Sequence, residues 1–427
     1  MDRTLYFVVL DGLSDEAVPD LGGRTPLAAA HTPQLDRMAW EGALGTCTTV
    51  GDGIAPESDI AVMALLGYDP SVHHPGRGPV EALGVGMEFR DGDLAWRCNF
   101  ATVAPWPHIA DRRAGRDLSA AEAAALAEEV NRRVELPGAS FEFRATVGHR
   151  AVLRMRDDHR PLSAEVQNTD PAYQRRGPLG VALESFEPVV AEAVPVVESD
   201  AGAARAAELT NLFTRRAHEV LEASSINSRR RSQGRLPANV VLSRDAGDHL
   251  TALPPMNERF GCGFGCFVEM PVEAGIARLT GMLPVPVPQE FGSLDEQYRH
   301  WAKRAAEAAA VHDALYIHIK GPDVPAHDGR WEEKVGVIEA IDRSFFGELA
   351  LERSASVLLV TADHGTSCVR KAHIADPVPY LIWGPQEADG SSAFTEEEAR
   401  RGALPHRYGV ELMPHLVTLM SVEPGGG

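Results

Sequence analysis

The sequence has few of the features that mark exported, membrane-bound or nucleic-acid-binding proteins. Its five cysteines form no evenly spaced set, which argues against a disulfide framework. No apolar run approaches the length of a membrane span, and the N-terminus lacks an apolar segment of the kind that directs export. Acidic residues outnumber basic ones by 61 to 41, and the net charge of −20 disfavours nucleic acid or a membrane surface as a partner. We therefore expect a cytoplasmic protein that binds neither.

An anionic small molecule stays compatible with this charge, because metal ions and a few arginines can reverse the potential locally. The length of 427 residues fits two domains, or one large α/β domain with an insertion. Between 91 and 177 the sequence changes to short strand-like pieces around an alanine-rich helix. We predict an inserted α+β domain there, between two parts of a core domain at 1–90 and 178–427. The basic stretch 225–233 is interpreted as a surface loop.

One stretch, Ser356 to Gly384, has the pattern of a strand, a loop and a second strand. Its first apolar run ends at Asp363 and His364, and a third ligand-type residue, His373, follows nine residues later. A carboxylate and an imidazole at the C-terminal end of a strand suit a divalent metal site on an open α/β sheet.

Two further apolar runs end in the same way. Thr4 to Leu10 stops at Asp11, and Ala314 to Lys320 is followed by Asp323 and His327. A lone Asp-Gly pair is more often a turn than a metal ligand. Together with His373 in the last loop, however, the three strand ends supply three carboxylates and three imidazoles, which with one hydroxyl are enough for two divalent ions.

Ser58 provides the candidate hydroxyl. It lies in a loop, directly before an apolar helical pattern. On position alone it fits a helix N-cap. It also fits a nucleophile whose alkoxide is favoured by backbone N–H groups and an adjacent metal ion. This stretch by itself does not decide between the two.

A basic group within the predicted insertion is a candidate anion site. Its members are Arg112, Arg113, Arg116, His149 and Arg150. Arginine is suited to bidentate recognition of carboxylate and phosphate. The alternative is that these residues are ordinary solvated surface.

Several longer motifs are distributed along the chain in order: PESDIAVMALLGYDP, GRGPVEALG, RCNFATV, LPANVVLSR, IHIKGPDVPAHDG, TADHG and KAHIADPVPYLIWG. In these motifs, and over nearly its whole length, the sequence resembles the archaeal-type 2,3-bisphosphoglycerate-independent phosphoglycerate mutases, members of the alkaline phosphatase superfamily. The resemblance implies an α/β core with an open, mostly parallel sheet and helices on both faces, plus a small inserted α+β cap.

The resemblance also implies a glycolytic reaction that interconverts 3-phosphoglycerate and 2-phosphoglycerate through a phosphoserine. Ser58 would be the nucleophile, and Lys320 would supply a cation for the transferring phosphoryl group. Two divalent ions would take part, commonly Mn²⁺, with Zn²⁺, Mg²⁺ or Co²⁺ as alternatives. Their implied ligands are Asp11, Ser58, Asp363 and His364 for one ion and Asp323, His327 and His373 for the other. The cap residues implied to hold the small anionic phospho-carboxylate are Arg112, Arg113, His149 and Arg150.

Some neighbours of these residues depart from the family pattern. Glu57, Ile60 and Val62 surround Ser58 in place of glycine, a polar residue and histidine, and Asp245 stands where the family tends to have glycine. These departures favour, as alternatives, another phospho- or phosphono-carboxylate substrate, a phosphatase, or transfer onto a small amino-acid hydroxyl. A binding protein without catalysis is disfavoured, because it would not need this whole set of ligands and a serine.

Overall fold

The computed structural model describes residues 3–176, 179–183, 185–288 and 291–421, which fall into two units. The first unit combines Met1–His73, Leu253–Glu269 and Ile276–Gly427, and the second combines His74–Ala252 with Met270–Gly275.

The elements alternate between strands and helices through most of the chain. The strands are β1 (Thr4–Leu10), β2 (Ala43–Thr48), β3 (Leu94–Val103), β4 (Ile109–Asp111), β5 (Ala139–Ala145), β6 (Arg150–Asp157), β7 (Tyr173–Arg176), β8 (Leu179–Ala182), β9 (Val240–Gly247), β10 (Phe264–Phe267), β11 (Leu283–Pro284), β12 (Ala314–Ile319), β13 (Ser356–Thr361), β14 (Gly365–Ser367), β15 (Ala372–Ile374), β16 (Val378–Trp383) and β17 (Arg407–Tyr408). The α-helices are α1 (Pro26–Ala29), α2 (Pro33–Glu41), α3 (Ser58–Leu65), α4 (Pro70–His73), α5 (Arg77–Gly84), α6 (Ala120–Arg133), α7 (Ala201–Glu222), α8 (Ser225–Ser232), α9 (Met256–Phe260), α10 (Pro271–Leu279), α11 (Leu294–Ala308), α12 (Asp323–His327), α13 (Trp331–Ile341), α14 (Glu396–Arg401) and α15 (Gly409–Met420). Short 3₁₀ turns lie at Pro19–Leu21 and Ala114–Arg116, and a π turn at Asp342–Phe346 extends α13.

The first unit is built on an eight-stranded sheet in the order β11-β10-β12-β1-β13-β16-β2-β17. Its pairings are parallel, except that β16 runs antiparallel to both of its neighbours. The three central strands are nearly continuous buried apolar runs, as expected of parallel strands covered on both faces. The predicted α/β core with a mostly parallel sheet is confirmed.

The register of these central strands gathers the polar residues that follow them. β1 lies between β12 and β13 and is parallel to both, with Val8 opposite Ile317 on one side and Val360 on the other. The carboxyl ends of parallel strands meet at one edge of a sheet. Asp11 and the loops after β12 and β13 therefore lie at the same edge.

The second unit contains an antiparallel sheet in the order β4-β3-β6-β5, with β9 paired to β3. One face of β3 presents Trp96, Cys98 and Phe100 to an apolar core that also receives Leu209 and Phe213 from α7. Alternate residues of the same strand point to the opposite face. This alternation gives the sheet one apolar face and one face that carries charged side chains.

The second unit is larger than the insertion predicted at 91–177. It begins at His74 and runs to Ala252, so it includes α7 and β9. The sequence assigned α7 to the core domain because its amphipathic pattern does not show which sheet it covers. In the structure its apolar face packs in the core of the second unit.

The stretch 225–233, predicted to be a surface loop, is mostly helix α8, and one of its arginines is fully buried. Arg230 donates from Nε to the carbonyl of Leu236 at 2.8 Å and from Nη1 to Glu122 at 3.0 Å, and it also pairs with Asp117. Because nearly all residues of this stretch are polar, its sequence does not indicate which side chain faces the protein interior. The surface interpretation was wrong for this residue.

All five cysteines are buried and free. Among the described residues, no helix combines the length and the apolar character needed to span a bilayer.

Arg230→Met is expected to lower the free energy of unfolding of the protein by about 2 kcal/mol, because it leaves the carbonyls of Leu236 and Ala114 without the hydrogen bonds that the buried guanidinium donates. Arg231→Met is the matched control, since Arg231 is the next residue in the sequence but is exposed, and it pairs with Glu222 at 2.5 Å. The control should cost less than about 1 kcal/mol. Urea unfolding of both variants measures the difference, and equal costs would contradict the buried network.

Candidate metal centre

Asp11 directly follows β1 and is fully buried. Its Oδ2 accepts hydrogen bonds from Lys320 Nζ at 2.7 Å and from His318 Nε2 at 2.8 Å. Its Oδ1 has no hydrogen-bond partner and lies 3.6 Å from His364 Nε2. Because a buried carboxylate oxygen is costly to leave unpaired, this atom is a candidate ligand for a cation.

Asp363 follows β13 and presents a second unpartnered oxygen. Its Oδ1 accepts from the backbone N–H groups of His364 at 3.0 Å and Gly12 at 3.2 Å. Its Oδ2 has no hydrogen-bond partner and lies 3.2 Å from His364 Nε2. One ligand-type atom each from Asp11, Asp363 and His364 lies within 4.8 Å of the others. Two carboxylates and an imidazole at this spacing fit a divalent cation.

Ser58 is the first residue of α3 and is buried. The N-cap position is taken by Glu57, whose side chain makes no capping bond. The Ser58 hydroxyl lies 3.3 Å from His364 Nε2. The structure therefore turns the hydroxyl toward the Asp11–Asp363–His364 group rather than using it as a helix cap, and it sets Ser58 Oγ at a helix N-terminus, where negative charge is favoured.

A second group of ligand-type residues forms around Asp323, at the start of α12. Asp323 Oδ1 lies 3.2 Å from His327 Nε2 and 3.8 Å from His373 Nε2, and the two imidazole nitrogens are 3.1 Å apart. His373 Nδ1 lies 2.7 Å from the carbonyl of Pro56, which leaves Nε2 as its ligand atom. The His364 and His373 rings stack with centroids 3.7 Å apart, so the two groups adjoin.

Burial and neighbouring charges shift the pKa values of these groups. Burial raises the pKa of Asp363, and the Asp11 carboxylate raises it further. Burial also acts on Asp11, but Lys320 and His318 outweigh it and lower the pKa of Asp11. Burial, followed by His364, lowers the pKa of His373 to about 4, so this imidazole is neutral near pH 7. A neutral imidazole is the form that binds metals.

Two of the four residues predicted to bind substrate lie together in the second unit. Arg150 begins β6 opposite Asn99 of β3. Burial, followed by the charges of Arg150 and Arg116, lowers the pKa of His149 to about 4. His149, Arg150 and Arg116 therefore share one electropositive region.

Arg112 has a different environment. It donates from Nε and Nη2 to both oxygens of Asp170, at 2.9 and 2.6 Å, and its guanidinium lies over the ring of Tyr173 at 5.2 Å. Arg113 is half-buried, and its backbone N–H donates to Asp111. The bidentate pair with Asp170 gives Arg112 an internal partner.

The charged face of the second unit's sheet brings together arginines of which the sequence analysis had singled out Arg150 but not Arg77, Arg97 or Arg244. We call them, with their acidic neighbours, the arginine cluster: Arg77, Glu81, Arg97, Arg150, Arg244 and Asp245. Arg97 lies opposite Arg244 in the β3–β9 pairing. Arg77 and Glu81, on α5, pair at 2.8 Å, and Glu81 is 3.4 Å from Arg97 Nε.

The cluster contains more positive than negative groups. Arg97 is 5% exposed, and burial together with the neighbouring arginines lowers its pKa to about 9. Crowded, buried guanidinium groups of this kind favour binding of an anion.

Comparisons with known proteins place the chain in a family. A family model described as 2,3-bisphosphoglycerate-independent phosphoglycerate mutase matches residues 39–227. A protein of that name from Aeropyrum pernix is 43% identical over 98% of this chain and 99% of its own length. The chain belongs to the 2,3-bisphosphoglycerate-independent phosphoglycerate mutase family. A relative of the same name from Methanopyrus kandleri is 39% identical over 97% of this chain and 95% of its own.

Two solved structures are similar to this chain over nearly its whole length. The cofactor-independent phosphoglycerate mutase from Thermoplasma acidophilum aligns with a TM-score of 0.65 and 33% identity, covering 98% of this chain and 100% of that one. A Pyrococcus horikoshii protein aligns with a TM-score of 0.80 and 27% identity over 100% of both chains.

In this mutase-family chain, Thr366 links the two ligand groups and was not predicted. Its hydroxyl donates to Asp323 Oδ1 at 2.7 Å and lies 3.2 Å from His364 Nδ1. The hairpin β14–β15 pairs Thr366 with His373. A threonine two residues after a ligand is common in sequences, so only the hairpin register identifies it.

Lys334, on α13, was also missed. It is fully buried, and its Nζ donates to Asp15 Oδ2 at 3.0 Å and to the carbonyls of Ser14 at 3.2 Å and Thr366 at 2.8 Å. Asp15 in turn accepts from the backbone N–H of Cys368. The lysine thus ties the segment after Asp11 to the loop after Asp363.

His318 is the third omission. It lies in β12, with Nε2 on Asp11 and Nδ1 2.9 Å from the hydroxyl of Tyr316. An imidazole inside an otherwise apolar strand was the available signal. The interaction fixes the orientation of the Asp11 carboxylate.

Asp363→Asn is expected to lower the affinity for Mn²⁺ at least about tenfold, because it removes one charged ligand atom. Without metal the variant should be at least as stable as the wild type, since burial and Asp11 both disfavour the charged form of Asp363. Elemental analysis after dialysis measures metal content, and thermal unfolding measures stability. The exposed Asp20 supplies the control, Asp20→Asn. Unchanged metal content in Asp363→Asn would rule out this ligand.

Proposed function

We propose that this chain interconverts 3-phosphoglycerate and 2-phosphoglycerate by passing the phosphoryl group to and from Ser58. The observation that carries the proposal is the position of the Ser58 hydroxyl. Ser58 lies at the N-terminus of α3, and its hydroxyl is 3.3 Å from Nε2 of His364. His364 stacks on His373, so the hydroxyl lies where the two groups of ligand-type residues adjoin. Family membership supports the same reaction.

Two divalent cations are part of the proposal. Their ligands would be Asp11, Ser58, Asp363 and His364 for one ion and Asp323, His327 and His373 for the other. The unpartnered oxygens of Asp11 and Asp363 support the first set. Mixed carboxylate and imidazole donors suit Mn²⁺, Zn²⁺ or Co²⁺ better than Mg²⁺, which prefers oxygen. When bound, such ions favour a serine alkoxide and neutralise phosphoryl oxygens.

The reaction proceeds in two displacements at phosphorus. In the first, the Ser58 hydroxyl gives up its proton and Oγ forms a bond to the phosphorus of 3-phosphoglycerate, while the bond from phosphorus to O3 breaks with its electron pair on O3, which takes up that proton. In the second, O2 of the retained glycerate gives up its proton and attacks phosphorus, and the bond to Ser58 Oγ breaks with its electron pair on Oγ, which takes the proton back. The helix N-terminus at Ser58 favours the negative charge of the alkoxide in both steps.

Lys320 contributes positive charge at the same place. Its Nζ lies 2.7 Å from Asp11, which belongs to the first ligand group, and 3.0 Å from Asp323, which belongs to the second. We assign it to balancing these carboxylates and to attracting the phosphoryl group.

The second unit would hold the organic part of the substrate. Its arginine cluster is the better candidate for the carboxylate than Arg112, which already has a bidentate partner in Asp170. Four residues were expected from the sequence to bind the substrate. Arg150 is one of them, and it belongs to the arginine cluster because its charge lowers the pKa values of both Arg97 and Glu81. For His149 and Arg113, substrate binding stays a prediction.

One observation favours a second candidate function. Glu57 is exposed beside Ser58, and its negative charge acts on both His364 and His373. A carboxylate there disfavours a dianion and favours an ammonium group, so the acceptor could be a small amino-acid hydroxyl. Transfer from a labelled phosphoenzyme to an amino acid, without transfer to glycerate, would select this function.

The direct test is conversion of 3-phosphoglycerate to 2-phosphoglycerate by Mn²⁺-supplemented protein, with free phosphate measured in the same sample. Conversion without phosphate release is expected, because glycerate has to be retained between the two displacements. Phosphate release alone would instead identify a phosphatase. Neither activity in metal-replete protein would contradict the proposal.

Ser58→Ala should abolish conversion, a loss of at least about 10⁴-fold, and leave the fold intact, since it removes the atom that forms the intermediate. Mass spectrometry of the wild type after brief exposure to substrate should find one added phosphoryl group on the peptide containing Ser58. Ser354→Ala, at an exposed serine, is the control. Full activity of Ser58→Ala would exclude the covalent route.

Arg150→Ala is expected to raise KM about tenfold or more with a smaller effect on kcat, because it removes a charge-assisted contact to the substrate. Arg112→Ala is the contrast: it breaks the pair with Asp170, so it should lower the melting temperature while KM stays near that of the wild type. Steady-state kinetics and thermal unfolding separate the two. The opposite pattern would return the carboxylate site to Arg112.

A further inference from the structure

A β-bulge changes the direction of one side chain in the arginine cluster. In the β3–β9 pairing, Ala95 lies opposite Gly247 and Arg97 opposite Arg244, so two steps along β3 match three along β9. β9 therefore carries one extra residue within this interval. Asp245 has φ of +58°, a left-handed conformation that glycine adopts without steric cost and other residues seldom adopt. Bulges of this kind re-aim side chains.

The bulge places the Asp245 carboxylate among the guanidinium groups. Without it, Arg244 and Asp245 would point to opposite faces of the sheet, because successive strand residues alternate. Instead, Asp245 Oδ2 lies 3.6 Å from Arg244 Nη1 and 3.9 Å from Arg97 Nη1. The residue is 8% exposed, and its Oδ1 has no hydrogen-bond partner. A buried acceptor thus remains available beside the arginines.

An acceptor adds something that arginines cannot supply. Guanidinium groups only donate hydrogen bonds, so a site made of arginines alone binds anions but has no partner for the hydrogen of a hydroxyl group. A site that hydrogen-bonds a substrate hydroxyl discriminates strongly against the analogue that lacks it.

We propose that Asp245 is a specificity-determining residue, which accepts a hydrogen bond from the hydroxyl of a hydroxy-carboxylate held by the arginine cluster. The assignment rests on the proposed function, since it names the part of that substrate which Asp245 recognises. The arginines bind the carboxylate, and Asp245 selects acids that carry a hydroxyl.

The test compares two ligands that differ by one hydroxyl: 3-phosphoglycerate and 3-(phosphonooxy)propanoate. Titration calorimetry is done on the full-length Ser58→Ala protein with Mn²⁺, so that no turnover occurs. To this parent variant are added Asp245→Gly, Asp245→Asn and the control Asp158→Asn, which removes an exposed carboxylate of the same unit. Because glycine suits the backbone at this position, Asp245→Gly should fold, and thermal unfolding verifies it.

The parent is expected to bind 3-phosphoglycerate at least about tenfold more tightly than the analogue, because one hydrogen bond to a charged acceptor contributes about this difference in affinity. In Asp245→Gly this ratio should fall to near one, while the analogue binds as tightly as before or more tightly, because a negative charge has left the cluster. Asp245→Asn should keep part of the ratio, and Asp158→Asn all of it.

Two results overturn the assignment. A ratio that is unchanged in Asp245→Gly, or near one already in the parent, contradicts the role of Asp245 while the proposed function stands. Failure of the parent to bind either ligand contradicts the proposed function as well, and the two failures are thereby distinguished.

Discussion

The structure depends on keeping three carboxylates, Asp11, Asp323 and Asp363, buried at one edge of a parallel sheet. Isolated charges in such a place are strongly disfavoured, so cations have to compensate them. Lys320 reaches two of the three, and His318 holds an oxygen of Asp11. One oxygen each of Asp11 and Asp363 has no hydrogen-bond partner, and a divalent ion bound there would compensate the remaining negative charge.

A second buried charge keeps this arrangement in place. Lys334 donates to Asp15 and to the carbonyls of Ser14 and Thr366, so the segment after β1 and the loop after β13 are held together. Through Thr366, the same contact extends to Asp323 and His364. Removal of a partner from a fully buried ion pair is strongly destabilising, so the support of the ligands is itself rigid.

The sequence predicts that Asp11, Asp323 and Asp363 lie together, because each follows an apolar run, and parallel strands bring such ends to one edge of the sheet. It does not predict the arginine cluster, because Arg97 and Arg244 meet only through the register between β3 and β9. Arg112 was selected from a basic run, but its partner Asp170 is distant in sequence and only the fold joins them. Tertiary structure determines which residues of two distant strands lie opposite each other, and local sequence patterns do not contain this information.

The central place of β1 has a consequence for biosynthesis. Its residues pair with Ala314–Ile319 on one side and with Ser356–Thr361 on the other, which leave the ribosome more than three hundred residues later. The apolar strand β1 is therefore synthesised long before its two neighbours and stays unpaired until most of the chain has been made. In the second unit, by contrast, every strand of the main sheet lies between Leu94 and Gly247, so the paired strands are closer together in the sequence. Contacts so distant in sequence form slowly, and exposed strands of this kind aggregate. The strand order therefore delays the pairing of β1, and the meeting of Asp11 with Asp323 and Asp363, until β12 and β13 have been synthesised.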